Sequence, residues 1–560
     1  MANKKKNENT LQYLQMPLPN GRKYSKMTKV AFGGLNKRNT LDSGELSMES
    51  NISTNEYPYL TPSERKIPAL QGYTNPISMF AFDDFLIVIY RENEAIKIDY
   101  VVWVEGEREI YKGTLKTLVK EENETDDDFN KRLLAEENIP RSIVQFNKYE
   151  QSDDVVNGDY VKKLLIFPDK KSMNFEITDD FTPMSMDADM LIKTYTTNDE
   201  TALPPDTASH NYYYRNSKST KIYKWVDDES DSANSGWKDT VTPTMPNIKY
   251  ATVHLSRLFG VSDDCVYASG FNDYTNWNLD TIDEYNESNA WMSKTQSNTK
   301  AGGNFTGITT FDSHVICFKR DFMHEIYNTK NPFRLQDIYA EGAIDHRTIQ
   351  DVDGKLIFVS EDDVKIYTGS NPRIIGYNLN MSQNTYAVAG TDNRNYYLYC
   401  EDVNGNKYLY VYDTYTELWS EQSVTDRVLS FAHNKRGMYM LCTDGCVYKM
   451  DTNSYLHDWS FETDLITNKT VDIKHIKKLQ MLADFHEAGN MRVYILYDDE
   501  EFDKNKSHLV FTSKVDGKCP IRIKPRKTAN YGFKLHFEGN GYVKLYELEI
   551  FIEAGGDLYV

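Results

Sequence analysis

Asn395–Asp413 reads NYYLYCEDVNGNKYLYVYD, two aromatic-rich runs joined by a short polar segment carrying Asn404-Gly405. Tyrosine, valine and leucine suit a pleated surface, and Asn-Gly supplies the backbone geometry of a tight reversal, so the stretch reads as strand, turn, strand. The same plan recurs in MFAFDDFLIVIYR (Met79–Arg91), IKIDYVVWVEG (Ile96–Gly106), VKKLLIFP (Val161–Pro168), GITTFDSHVICFKR (Gly307–Arg320) and KLIFVSEDDVKIYTG (Lys355–Gly369). The turns Asp353-Gly354, Asn404-Gly405 and Asp444-Gly445 follow one another at roughly 40 to 50 residues, the spacing of four-stranded propeller blades. No Trp-Asp closure motif recurs, so the repeat is one of structure rather than of sequence.

Composition agrees with a folded, β-rich chain. The 560 residues are 40% hydrophobic and 13% aromatic, and Tyr outnumbers Gly, 40 to 29, which excludes intrinsic disorder. The longest purely apolar run, Phe85–Tyr90, falls far short of the roughly 20 residues that span a bilayer. Lysines at Lys4–Lys6 are followed by polar residues rather than an apolar core, so export through a secretory signal is not expected. A net charge of −20 argues against a protein that grips nucleic acid through its phosphates. Six cysteines, mostly inside apolar runs, read as reduced core thiols.

The expected fold class is therefore all-β, in three parts. Residues 1–75, rich in Asn, Ser, Thr, Pro and Gly, read as an extended N-terminal arm. Residues 76–455 read as a β-propeller with insertions at about 107–140, 195–245 and 280–305. The first insertion contains a helical pattern, with acidic residues from Asp126 and Phe129, Leu133 and Leu134 on one face up to Asn138. Residues 456–560 carry longer strands in which Phe533, Leu535 and Phe537 alternate with Lys534, His536 and Glu538, the pattern of a β-sandwich with one wet face.

No residue constellation in the sequence points to catalysis, a cofactor or a metal. Cys442 and Cys446 flank a turn without a second Cys or His pair at zinc spacing. Asp402, Asn404 and Asn406 open like a calcium loop, but Lys407 stands where glycine is needed, and a hairpin turn accounts for them. Asp498-Asp499-Glu500-Glu501 and Asp227-Asp228-Glu229 with Asp231 read as solvated loops. His254, His314 and His324 have no nucleophile nearby in sequence and read as structural. Tyr396, Tyr397, Tyr399, Tyr408, Tyr410 and Tyr412 suit cross-strand packing, with a sugar-stacking platform or a ring-forming interface as further uses.

RLFGVSDDCVYASGFNDYTNWN, Arg257–Asn278, resembles a strand pair that marks one blade in the β-propeller virion proteins of tailed bacteriophages, the packaged-DNA stabilisation, tail hub and tail nozzle family. Tyr274 stands where that family often has proline. ITTFDSHVICFKRDFMHEIY and AEGAIDHRTIQDVDGKLIFVSEDDVKIYTGSNPRIIG are similar to its next two blades. FGGLNKRNTLDSGELSMESNISTNEYPYLTP is similar to its arm, and RIKPRKTANYGFKLHFEGNGYVKLYELEIFIE to its C-terminal sandwich.

The resemblance implies a non-enzymatic virion component, made in the cytoplasm of a bacterial host and built into the phage tail. It implies a homo-oligomeric ring, of six copies in that family's manner, below the portal and adaptor proteins and next to tail fibre or tail plug proteins. Double-stranded DNA would be retained and would then pass through the lumen without specific binding, and no membrane partner is implied. Two other readings stay open: a glycan-binding or glycan-cleaving propeller, and a baseplate adaptor for receptor-binding fibres.

Overall fold

Strand pairing divides the chain into four-stranded units, antiparallel but for one pair, followed by one large sheet. The structure is a computed structural model. It describes residues 14–554 apart from single positions and short gaps, chiefly 18–22, 121–123, 130–139, 151–158, 175–185, 188–191, 227–234, 241–244, 281–286, 295–302, 468–472 and 526–529. Among the described residues there are eight four-stranded sheets besides the large one.

Seven of the eight are blades of a closed ring, because each shares an apolar core with the next. Ile87 and Ile98 of the first blade meet Ile143 and Ile166 of the second, and Phe146 and Leu165 of the second meet Ala251 and Leu258 of the third. The series continues through Phe259 with Ile308, Phe318 with Phe358, Ile357 with Leu398 and Tyr399 with Met440. It closes where Leu441 and Ala432 of the seventh blade pack on Met79 and Val88 of the first. Blade strands are therefore apolar on both faces. In Asn395–Asp402, Tyr396 and Leu398 face the fifth blade while Tyr397 and Tyr399 face the seventh.

The eighth sheet, Ile192–Tyr195, Tyr213–Asn216, Ile222–Val226 and Gly236–Thr240, is an insertion between the second and third blades. These two blades touch each other directly, with the Ser142 hydroxyl donating to the Ala251 carbonyl at 3.0 Å. The inserted sheet starts with a parallel pair and carries its own aromatic contacts among Tyr214, Trp225 and Trp237. Two other expected insertions are partly blade: Glu107–Thr117 is the outermost strand of the first blade and Trp291–Lys294 that of the third. Of the expected helix, Asp128 and Phe129 are described and are helical, with the Thr125 hydroxyl capping the Asp128 amide at 3.1 Å. The rest lies outside the described residues.

Turn chemistry follows the residues. At Asp353-Gly354 both residues hold positive φ, 52° and 70°, as a two-residue hairpin requires. At the other two turns the glycine alone is positive, 79° at Gly405 and 81° at Gly445, and the loops are longer. The Asp402 carboxylate organises the first of these by accepting from the Asn404 and Asn406 amides at 2.8 and 2.9 Å.

The ring is closed by a strand from the arm. Ile67–Leu70 pairs with Val447–Lys449 as the outer strand of the seventh blade, so the first and last parts of the propeller share one sheet. More of the arm is also strand. Lys23–Lys29 and Leu46–Ser50 join Asp458–Thr463, Lys474–Tyr497 and Phe533–Ala554 in the eight-stranded C-terminal sheet.

The two long strands run side by side through the whole of that module and break register between His486 and Asn490. Gly489 and Gly539 sit there with no room for a Cβ, which would lie 2.3 and 2.2 Å from carbonyl oxygens of the facing strand. Residues on both sides of the break, such as Leu479 and Ile550 on one and Val493 and Phe537 on the other, contribute to a single core.

The arm joins this core to the propeller at Asn51, which holds φ at 58°. Its backbone amide donates to the Glu421 carbonyl at 2.9 Å, and its carbonyl accepts from Ser63 at 2.9 Å. Its side-chain oxygen accepts from the Ser423 amide at 2.9 Å, and its side-chain nitrogen donates to the Asp458 carbonyl at 2.7 Å. One side chain thus links arm, sixth blade and C-terminal sheet. Replacing Asn51→Ala leaves buried groups unpaired, and urea denaturation is expected to show a loss of about 1–3 kcal/mol.

Candidate functional site

The described residues among those singled out in the sequence are spread over the third, fourth, sixth and seventh blades and the C-terminal module. His324 is buried, with Nδ1 2.9 Å from Asp337 Oδ1; burial lowers its pKa, and Asp337 opposes that shift. His314 lies 3.4 Å from Glu325 and against the Tyr327 ring, and His254 lies against Phe259. Cys442 and Cys446 are free thiols on either side of the turn, and burial pushes both upward in pKa. Asp498 accepts from the Tyr531 amide. Asp499, Glu500, Asp227, Asp228, Glu229 and Asp231 lie outside the described residues. No group of three or more His, Cys, Asp or Glu side chains gathers at metal-binding distance among the described residues. No helix among them is long and apolar enough to cross a membrane.

The tyrosine-rich hairpin belongs to blade packing. Tyr396 is fully buried and donates to the Thr348 carbonyl at 2.8 Å, while Tyr399 donates to Glu401 at 2.6 Å. Tyr408 and Tyr410 stack with centroids 5.5 Å apart, and Tyr412 lies 4.9 Å from Trp419. Arm residue Lys37 covers the stacked pair, with Nζ 4.5 Å from the Tyr408 centroid, 2.9 Å from the Tyr410 hydroxyl and 2.6 Å from Glu421. These rings therefore offer no open stacking platform.

Arg257–Trp277 forms a buttressed hairpin and loop in the third blade. Arg257 is 2% exposed and donates to the carbonyls of Ser269 at 2.6 Å and Asn289 at 2.7 Å, and to that of Glu287. Ser269 Oγ accepts from the Leu258 amide, Asp273 Oδ1 accepts from Thr275, and Trp277 Nε1 donates to the Tyr274 carbonyl at 3.0 Å. Tyr274 packs edge-on against Phe146 of the second blade. The polar residues of the motif thus fix a loop crossing and a blade contact.

A recess lies along the seam around Asn51. It encloses about 660 Å³ between Ser50 and Asn51 of the arm, Ser423 of the sixth blade and the outer face of the C-terminal sheet. Register builds that outer face. Ser50 stands opposite Ser460, Ser460 opposite Glu538, and Glu538 opposite Arg492. A second row two residues away sets Asp458 opposite Asn540 and Asn540 opposite Asn490. Alternation sends the intervening Trp459 and Met491, and Phe537 on the other side of Glu538, into the core.

Glu538 is the electrostatic centre of the recess. It takes Lys504 at 2.8 Å, the Tyr494 hydroxyl at 2.8 Å and Arg492 at 3.4 Å. Partial burial alone would raise its pKa, but these donors hold it down to about 2. Sequence reading missed the recess because its members come from six segments brought together by strand register and by the packing of the arm against the sixth blade. The one local signal was the alternation of Lys534, His536 and Glu538 with the core residues.

Beside the recess, Glu49 is buried with Oε1 accepting the Glu421 amide at 2.9 Å. Its Oε2 is enclosed without a hydrogen-bond partner among the described residues. Burial raises its pKa well above 4.5, the Glu421 amide opposes the shift, and the Glu421 charge adds to it.

Comparison with known proteins finds distant likenesses only. No protein-family model and no curated protein matches the sequence. Among solved structures, the chain is similar to the WD40 domain of Toxoplasma gondii coronin at 8% identity, covering 75% of this chain and 90% of that one with a TM-score of 0.34. A protein from Lactobacillus plantarum aligns at 10% identity over 69% of this chain and 95% of its own, TM-score 0.28. A Mycobacterium tuberculosis puromycin-hydrolyzing peptidase aligns at 8% identity over 72% and 61%, TM-score 0.30.

Two expectations follow from this geometry. Arg257→Lys keeps the charge but cannot reach three carbonyls at once, and chemical denaturation should show a loss of about 1.5–3 kcal/mol. For Glu49, the raised folded pKa means that its contribution to stability is retained below about pH 4.5 and lost as pH rises, because the unfolded chain ionises first. Glu49→Gln should therefore raise the melting temperature relative to wild type at pH 8, and the gap should close at pH 4.

Proposed function

We propose that the chain is a structural, non-catalytic component of a tailed-phage virion, a propeller subunit of a homo-oligomeric ring in the tail nozzle or hub. It would sit below portal and adaptor proteins, in contact with tail fibre or plug proteins, and line a conduit for double-stranded DNA. The observation that carries the reading is what the residues of the phage-like stretch do. Arg257, Ser269, Asp273 and Trp277 are all engaged in bracing one blade, a use of polar side chains that favours a structural role.

Two further observations support it. The arm ties the propeller edge to the C-terminal sheet through Leu46–Ser50 and Asn51, giving one body suited to repeated side-by-side contacts that close into a ring. The net charge of −20 suits a wall past which DNA slides, since like charge keeps phosphates from adhering.

Negative-stain imaging of the purified chain, alone and with a portal–adaptor complex, tests the reading. Six-fold rings docking coaxially on the complex are the expected result. Persistent monomers without affinity for it would overturn the proposal.

A further inference from the structure

We propose that the seam recess binds a neutral saccharide, a role separate from ring assembly and not dependent on it. At about 660 Å³ it has the capacity of a small-molecule site, which commonly runs from roughly 300 to 1,000 Å³. Its chemistry selects the ligand.

The two rows opposed across the sheet, Ser50–Ser460–Glu538–Arg492 and Asp458–Asn540–Asn490, place hydroxyl, amide, carboxylate and guanidinium groups side by side on one face. The Ser50 and Ser460 hydroxyls and the Asn490 amide make no hydrogen bond to protein among the described residues, whereas Asn540 is held by Asp458 at 2.9 Å. Open donors and acceptors thus lie next to groups whose orientation is already fixed, an arrangement that matches the vicinal hydroxyls of a sugar, each both donor and acceptor.

Other ligand classes fit less well. The cations Arg492 and Lys504 both face Glu538, and Asp458 adds a further negative charge, so no surplus positive charge is left for a phosphate or a nucleic acid. Asp458–Thr463, Lys474–Tyr497 and Phe533–Ala554 each have a strand on both sides, and the outermost strand, Leu46–Ser50, runs into Asn51, whose amide is taken by the Glu421 carbonyl of the sixth blade, which disfavours a peptide added through its backbone. The polar floor, with the apolar residues turned into the core, disfavours a greasy ligand.

The location gives binding a mechanical consequence. The lining comes from the arm, the sixth blade and the C-terminal sheet, so a ligand there bridges three parts and holds the seam closed.

The test uses the full chain and neutral tri- and tetrasaccharides of gluco, galacto and N-acetylated types, followed by saturation-transfer NMR and calorimetry. Asn490→Ala and Ser460→Ala remove side chains with no protein hydrogen bond and should leave the melting temperature unchanged. The expected result is binding of at least one neutral saccharide by the wild type, weakened at least tenfold in both variants. Absence of binding at millimolar concentration of every sugar would overturn the proposal, as would equal binding by wild type and both variants. Since none of these readouts depends on ring formation, a failed saccharide test and a failed ring test are distinguishable.

Discussion

The architecture depends on backbone hydrogen bonds that one extended segment makes to two different partners. Between Gly34 and Ser63 the arm bonds to the outer strand of the sixth blade through Leu35 and Asn51, and to the C-terminal sheet through Leu46–Ser50. An extended chain pairs only part of its amides and carbonyls within itself, as Ser63 does with Asn51, so the rest must find partners elsewhere or stay in water. Here it finds them in both large units, and neither unit has a complete edge without it. Gly34 shows how close the approach is: a Cβ there would lie 2.8 Å from the Trp419 carbonyl oxygen.

That constraint explains the uneven legibility of the sequence. The blades could be read because their information is local. A hairpin such as Asn395–Asp413 declares strand, turn and strand within one short stretch, and an apolar strand buried on both faces carries the same residues whichever blade it meets. The all-β propeller expectation holds for this reason. Glu107–Thr117 was harder, since its outward residues are polar and partly exposed, as an outermost blade strand's can be, and it resembled a loop. The arm was harder still. Ile67–Leu70, with Pro68 in it, has little strand character of its own and becomes a strand because Val447–Lys449 presents an unpaired edge.

The seam recess lay beyond sequence reading for a different reason. Ser50, Ser460 and Asn490 are unremarkable where they stand in the chain, and their alignment exists only after register is set. Register is in turn fixed by the apolar residues between them, because a slip of one position would turn Trp459, Met491 and Phe537 toward solvent. The polar face is thus specified by the core behind it. The same holds for Tyr408 and Tyr410, whose exposure to ligand is decided by Lys37, a residue far away in sequence.

The arm strand that completes the seventh blade also orders events in time. Ile67–Leu70 is synthesised before any blade, yet its partner Val447–Lys449 arrives after all the others, and the sheet that receives Lys23–Lys29 is finished later still by Phe533–Ala554. Ile67–Leu70 therefore waits without its blade partner, and Lys23–Lys29, paired with Leu14–Pro17 alone, waits with one edge open while the rest of the propeller is made. Contacts of such long sequence separation are slow to form because the intervening chain must first be ordered. Ring closure, seam formation and completion of the C-terminal sheet become a single late step, and a chain interrupted before it carries open blade edges able to pair with those of other copies.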